Sequence, residues 1–122
     1  MKSIIVVDDD AAVRRIAARI LMEEGFQVLE ACDGDEAIRL AELHGPDIGL
    51  VVTDIIMPRL NGIELLEQLS RIQPALPVVL MSGYTSHELM SRALVAPCGV
   101  LRKPFAPEAL VDEVRRCLGT AA

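Results

Sequence analysis

A chain of 122 residues is about one domain long, and an apolar share of 52% suffices for a single well-filled core. With two Phe, one Tyr and no Trp, that core has to be built from Val, Ile, Leu, Ala and Met. A net charge of −6 and a pI near 4.8 argue against a nucleic-acid surface, which demands clustered Lys and Arg.

Apolar runs alternate with longer segments of helical period. The first run, Ile4 to Val7, ends on Asp8. A helix follows with Val13, Ile16, Ala17, Ile20 and Leu21 on its inner face, capped by Asp10 and stopped by Gly25. The second run, Phe26 to Ala31, leads through Asp33-Gly34 into a helix carrying Ala37, Leu40 and Ala41, which Gly45-Pro46 breaks. The third run, Ile48 to Thr53, ends on Asp54. A loop through Pro58 and Gly62 precedes a helix with Leu65, Leu66, Leu69 and Ile72 inward. Pro74 and Pro77 bracket the next turn, and the fourth run, Val78 to Met81, ends on Ser82. A polar helix near His87 to Leu94 follows, ended early by Pro97. The fifth run, Val100-Leu101, stops at Lys103-Pro104, and the last helix turns Leu110, Val114, Cys117 and Leu118 inward.

Strands that read as continuous apolar runs are buried on both faces, as in a parallel sheet covered by helices. Five such units predict an α/β, doubly wound, three-layer sandwich with right-handed crossovers. No repeat or interdomain linker appears, so residues 1–122 read as one domain. Acids arrive at Asp8 too early for a signal peptide, and no run nears the roughly 18 residues of a membrane span. The chain is therefore expected to be cytoplasmic. Cys32, Cys98 and Cys117 lack any C-x-x-C spacing and read as small reduced residues of the core. His44 and His87 read as solvated, Met57, Met81 and Met90 as packing residues, and Arg14, Arg15 and Arg19 as a solvated helix face.

Asp8 and Asp9, Asp54, Ser82 and Lys103 each fall at the C-terminal end of a strand run, and in an open parallel sheet those ends share one edge. Three carboxylates there repel one another by roughly 4 kcal/mol per pair at about 4 Å and an effective dielectric of 20. A divalent cation resolves the conflict, and an all-oxygen site suits Mg²⁺, or Mn²⁺. Asp54 at the end of a buried strand, beside a metal, is placed to act as a nucleophile toward phosphorus. Lys103 would neutralise charge on the transferring group, and Ser82 would donate a hydrogen bond to it.

The wording Val-Val-Asp8-Asp9-Asp10, Thr53-Asp54-Ile-Ile-Met57-Pro58 with Gly62, Met81-Ser82-Gly83 and Lys103-Pro104-Phe105 resembles the receiver domain of bacterial two-component response regulators, the CheY-like family. The resemblance covers nearly the whole chain. It implies a five-stranded flavodoxin-like (βα)5 sheet in the order 2-1-3-4-5, and a single receiver domain over 1–122 with no output domain. It implies that Asp54 takes a phosphoryl group from a phosphohistidine of a histidine kinase or histidine phosphotransfer protein. Asp9 would bind Mg²⁺ directly, Asp8 largely through water, with Asp54 and the backbone carbonyl of Ile56 completing the protein ligands. Ser82 would move toward the phosphoryl group, Lys103 would contact it, and Lys103-Pro104 would be cis. Pro58 and Gly62 would shape the loop after the acceptor. A downstream protein would read the face of the fourth helix, fifth strand and fifth helix. Direct nucleic-acid or membrane binding is not implied, and the protein is expected as a monomer or weak dimer.

Two positions depart from the family pattern. Val100 stands where many receivers carry an aromatic residue that rotates on activation, and Tyr84 is a candidate substitute. Ile56 stands two residues after Asp54, where the family often has a polar side chain. Leu94 to Gly99 also differs, and a weakly packed fourth helix is expected to be the mobile element. A Mg²⁺-dependent phosphohydrolase would need a second acid at position 56, which Ile56 denies. A flavin or nucleotide carrier would need a phosphate-binding glycine motif or stacking aromatics, and neither occurs. The Ser-Gly-Tyr and Lys-Pro-Phe wording leans toward a receiver of the hybrid-kinase type.

Overall fold

A computed structural model describes residues 2–83 and 86–120. Strands and helices alternate in chain order as β1 (Ser3–Val7), α1 (Ala11–Glu23), β2 (Gln27–Ala31), α2 (Gly34–His44), β3 (Ile48–Asp54), α3 (Gly62–Ile72), β4 (Val78–Ser82), α4 (His87–Ser91), β5 (Gly99–Arg102) and α5 (Pro107–Thr120). A single 3-10 turn, Gly45–Asp47, leads into β3. The strands pair in parallel in the order β2-β1-β3-β4-β5. The chain thus runs outward from β1 to β2, then crosses back to β3, and the reversal opens a crevice at the C-terminal ends of β1 and β3.

Successive side chains of each strand feed opposite layers. Ile5, Val7, Val51 and Leu80 pack with Ala37, Ala41, Leu65, Leu66 and Leu69 of α2 and α3. Ile4, Val6, Leu50, Val52, Val79 and Met81 pack with Ala17, Leu21, Leu110, Val114 and Cys117 of α1 and α5. Both sets are buried, which is why the strand runs are continuous rather than alternating.

Local sequence fixes the helix ends. The Asp10 carboxylate accepts from the backbone N–H of Ala12 and Val13, as expected, and Gly25 takes φ +92° after α1, a conformation that suits glycine alone. Asp33 caps α2 by accepting from Glu36 N. Asn61 and Glu64 form a reciprocal capping box at the start of α3.

Several expectations need correction. The inner stripe of α1 runs through Ala17, Ala18 and Leu21, while Ile16 is 59% exposed. Small alanines let α1 sit close to the sheet, and the larger Ile16 is left on the flank. Ile72, the last residue of α3, is exposed rather than inward, the buried stripe of the helix ending at Leu69. The fourth helix spans only His87–Ser91, has no fully buried residue, and ends six positions before Pro97. Too few apolar positions, not the proline, limit it. The cysteines do not behave alike: Cys32 is exposed, and Cys98 and Cys117 form a disulfide, their Cα atoms 6.0 Å apart. Cys98 immediately precedes β5 and Cys117 faces it from α5, so the topology joins residues 19 apart in sequence. Tyr84 lies outside the described residues.

Candidate functional site

The strand ends deliver their polar residues to one edge. Asp8 follows β1, Asp54 ends β3, Ser82 ends β4 and Lys103 follows β5. The register places Asp54 beside Met81 and Ser82 beside Arg102, so Lys103 arrives one residue past the last β4–β5 pair. The Lys103 backbone N–H donates to Ser82 O at 2.7 Å, and the Lys103-Pro104 peptide is cis.

Lys103 Nζ lies 3.2 Å from Asp8 Oδ2 and 3.2 Å from Asp54 Oδ1, bridging two strands through one ammonium. Asp8 is locked on every side. Its Oδ1 accepts from Asp10 N at 2.9 Å, its N–H donates to Ala31 O at 3.2 Å, and its carbonyl accepts from Arg14 Nη1 at 2.9 Å. The Asp54 carboxylate is oriented by Ile55 N, which donates to Oδ1 at 3.0 Å. Thr53 Oγ1 donates to the Asp54 carbonyl at 2.9 Å. Asp8, Asp9 and Asp54 each place a carboxylate oxygen within 4.8 Å of the others. Asp9 and Ile56 are exposed at the rim, whereas the Asp8 side chain is fully buried.

Burial pushes the Asp54 carboxyl above its usual range, the Asp8 charge adds to this, and Lys103 opposes both. Burial works against the charge on Lys103, but Asp54 and Asp8 outweigh it and hold the ammonium above the ordinary lysine range. Three acids against one base leave the pocket negative. Its oxygen-only donors, one buried and one at the rim, fit a hard divalent cation that keeps some of its water.

An acid whose folded pKa is raised opposes folding when ionised, and that opposition disappears as pH falls through the folded pKa toward the unfolded value. Without metal, Asp54→Asn is therefore expected to melt a few degrees above wild type at pH 7, with the gap closing in acid. Thermal melts in a chelator at both pH values check this. A variant less stable than wild type at pH 7 would mean that burial and Asp8 do not dominate the Asp54 environment.

Residues 4–115 match the family described as the response regulator receiver domain. The chain belongs to that family. This receiver is 36% identical over 115 residues to the transcriptional regulatory protein PdtaR of Mycobacterium tuberculosis, covering 93% of this chain and 55% of PdtaR. It is 34% identical over 118 residues to the sensor kinase CckA of Brucella abortus, covering 95% of this chain and 12% of CckA. The crystal structure of the receiver domain of NtrX from Brucella abortus superposes with a TM-score of 0.88 at 34% identity, covering 97% of this chain and 99% of that one. The receiver thus spans about half the length of PdtaR and a small part of CckA. Its fold is flavodoxin-like, with the 2-1-3-4-5 strand order. No helix among its described residues is long and apolar enough to cross a membrane.

Arg14 was misplaced by sequence reasoning. Its side chain is 15% exposed and joins the end of β1 to β2, with Nη1 on the Asp8 carbonyl and Nε 3.0 Å from Glu30 Oε1. Arg14, Ala17 or Ala18, and Leu21 share one helical stripe, and that spacing was the available signal. Ser86, fully buried between β4 and α4, was also missed. Val100 is 41% exposed and lines, with Ser82, His87 and Met90, an open cavity between β5 and α4. The exposed Ile16 lines a separate apolar groove with Val13, Ile20 and Phe105, open beside Lys103.

Proposed function

We propose that this receiver accepts a phosphoryl group on Asp54 and relays that event to a protein-binding face. The observation that carries the reading is Lys103 Nζ set 3.2 Å from both Asp54 and Asp8, beside a third carboxylate, at the sheet's C-terminal edge. An Asp54 carboxylate oxygen attacks phosphorus, and the bond from phosphorus to the donor histidine's nitrogen breaks. Asp8, Asp9 and Asp54, with the Ile56 carbonyl, would hold Mg²⁺ or Mn²⁺. The cation, when bound, neutralises charge on the phosphoryl oxygens. Lys103 leaves Asp8 to meet one of those oxygens, and the Ser82 hydroxyl donates to another. The donor is a histidine kinase or histidine phosphotransfer protein, and the apolar groove of Val13, Ile16, Ile20 and Phe105 beside Lys103 suits its docking.

The response is read at α4, β5 and α5, either by a separate protein or within a longer regulator or hybrid kinase. The likeness to CckA supports the second setting and the likeness to PdtaR a regulator. Phosphohydrolase activity is disfavoured, because position 56 holds an exposed isoleucine where a second acid would have to stand.

Acetyl phosphate with Mg²⁺ is expected to add one phosphoryl group to the wild-type chain, seen by intact mass, and none to Asp54→Asn. Equal labelling of both, or of neither with metal present, overturns the reading.

A further inference from the structure

Ser86 is a fully buried hydroxyl that the chemistry above does not use. It occupies the N-cap position of α4, where a serine ordinarily bonds the first turn of the helix, yet its side chain makes no capping bond. The hydroxyl turns back toward the sheet instead. Ser86 Oγ donates to Gly83 O at 2.8 Å and lies 2.9 Å from Ser82 Oγ.

Either hydroxyl could donate in that second bond, and the contacts to Gly83 O are the basis for assigning its direction. A serine hydroxyl has one O–H to give and two lone pairs to receive with. Ser86 gives its proton to Gly83 O over 2.8 Å, while Ser82 reaches the same carbonyl only at 3.4 Å. We assign Ser82 as the donor toward Ser86 on the shorter Ser86–Gly83 contact, which engages the single Ser82 proton there. A hydroxyl so engaged has to give up Ser86 before it can donate to a phosphoryl oxygen.

We propose that Ser86 is a positioning residue that holds the Ser82 hydroxyl in its resting bond, so that phosphorylation reaches α4 by breaking the Ser82–Ser86 contact. The proposal rests on Asp54 being the phosphoacceptor. It supplies a relay that needs no aromatic ring on β5, where Val100 stands. The relay is short: Ser86 is followed directly by His87, and Met90 N donates to Ser86 O at 3.0 Å. Releasing Ser82 thus loosens the residue on which the first turn of α4 is built. With no fully buried residue, that helix has little packing to resist the change.

Beryllofluoride with Mg²⁺, bound to the aspartyl group and followed by fluorine NMR, is the probe. Ser86→Ala removes the competing acceptor and is expected to tighten beryllofluoride binding about two- to tenfold, the range of one net hydrogen bond. Ser86→Thr keeps the acceptor and should bind as wild type does. Ser82→Ala loses the donor and should bind more weakly. In that background Ser86→Ala should add nothing, because its effect acts through the Ser82 hydroxyl. A merely structural Ser86 would give the opposite sign, since damage weakens binding. Unchanged or weaker binding by Ser86→Ala, or a gain that survives in the Ser82→Ala background, overturns the proposal. Wild type that binds no more beryllofluoride than Asp54→Asn overturns the phosphoacceptor reading, and the proposal with it.

Discussion

Lys103→Ala is expected to slow phosphorylation of Asp54 by acetyl phosphate about a hundred- to a thousandfold, the usual effect of losing one charge-stabilising donor. The same change should cost about 2–3 kcal/mol of stability in a chelator at pH 7, below the roughly 3–5 kcal/mol for breaking a fully buried pair. The reduction reflects exposure: the Lys103 side chain is 25% exposed, against 13% for Asp54 and 1% for Asp8. One ammonium serves both acids, so its removal leaves two partly or fully buried carboxylates facing each other.

The pH dependence separates this from a simple packing loss. Lys103 has its folded pKa raised, so its contribution is fully present below 10.5 and is lost as pH rises through the folded value. Asp54, also raised, takes up a proton as pH falls and no longer needs the ammonium. Wild type and Lys103→Ala should therefore differ most near neutrality and converge in strong alkali and in acid. Millimolar Mg²⁺ should narrow the neutral gap by supplying positive charge to the same carboxylates. Urea melts across pH, with and without metal, check all three trends. A gap independent of pH and metal would assign Lys103 a packing role only.

The strand ends were legible in the sequence because burial on both faces leaves continuous apolar runs, and the first polar residue after each run marks the edge. Asp8, Asp54 and Ser82 were located in this way, whereas the fifth run is followed first by Arg102 and Lys103 lies one residue beyond it. The strand order was supplied by the family resemblance, and the parallel pairing agrees with it. Side-chain direction within helices was less legible. Hydropathy counts Ile16 and Ala17 alike, but close approach of α1 to the sheet favours the small residue and expels the large one. The same geometry draws Arg14 under the Asp8 carbonyl, where a basic residue reads as solvated by type alone. The Cys98–Cys117 pairing depends on how β5 meets α5, which no spacing records. Ser86 was invisible because its meaning lies in a bond it makes instead of the cap its position suggests.

Gly62→Ala should be the most damaging of the glycine-to-alanine changes, because its clash is with backbone, at about 2–3 kcal/mol. A Cβ at position 62 would collide with the Asp54 carbonyl oxygen and stand 2.8 Å from Ile55 Cα. Both are backbone atoms that cannot swing aside. Gly62 N donates to Ile55 O at 2.8 Å, so the start of α3 is seated directly on the turn that leaves β3. Lifting α3 breaks that bond, and shifting Ile55 instead disturbs the N–H that orients the Asp54 carboxylate. Stability and phosphoryl acceptance should therefore fall together. Other glycines supply the control. At Gly34 the added carbon would meet Leu60 Cδ2 at 2.6 Å, the far end of a flexible side chain, and the cost should be smaller. At Gly119 nothing lies within 4 Å, and alanine should be neutral or slightly stabilising through helix propensity, worth up to about 1 kcal/mol. Urea midpoints should rank the variants Gly119→Ala above Gly34→Ala above Gly62→Ala. If Gly62→Ala melts with wild type and still accepts a phosphoryl group, α3 is not what holds Asp54 in place.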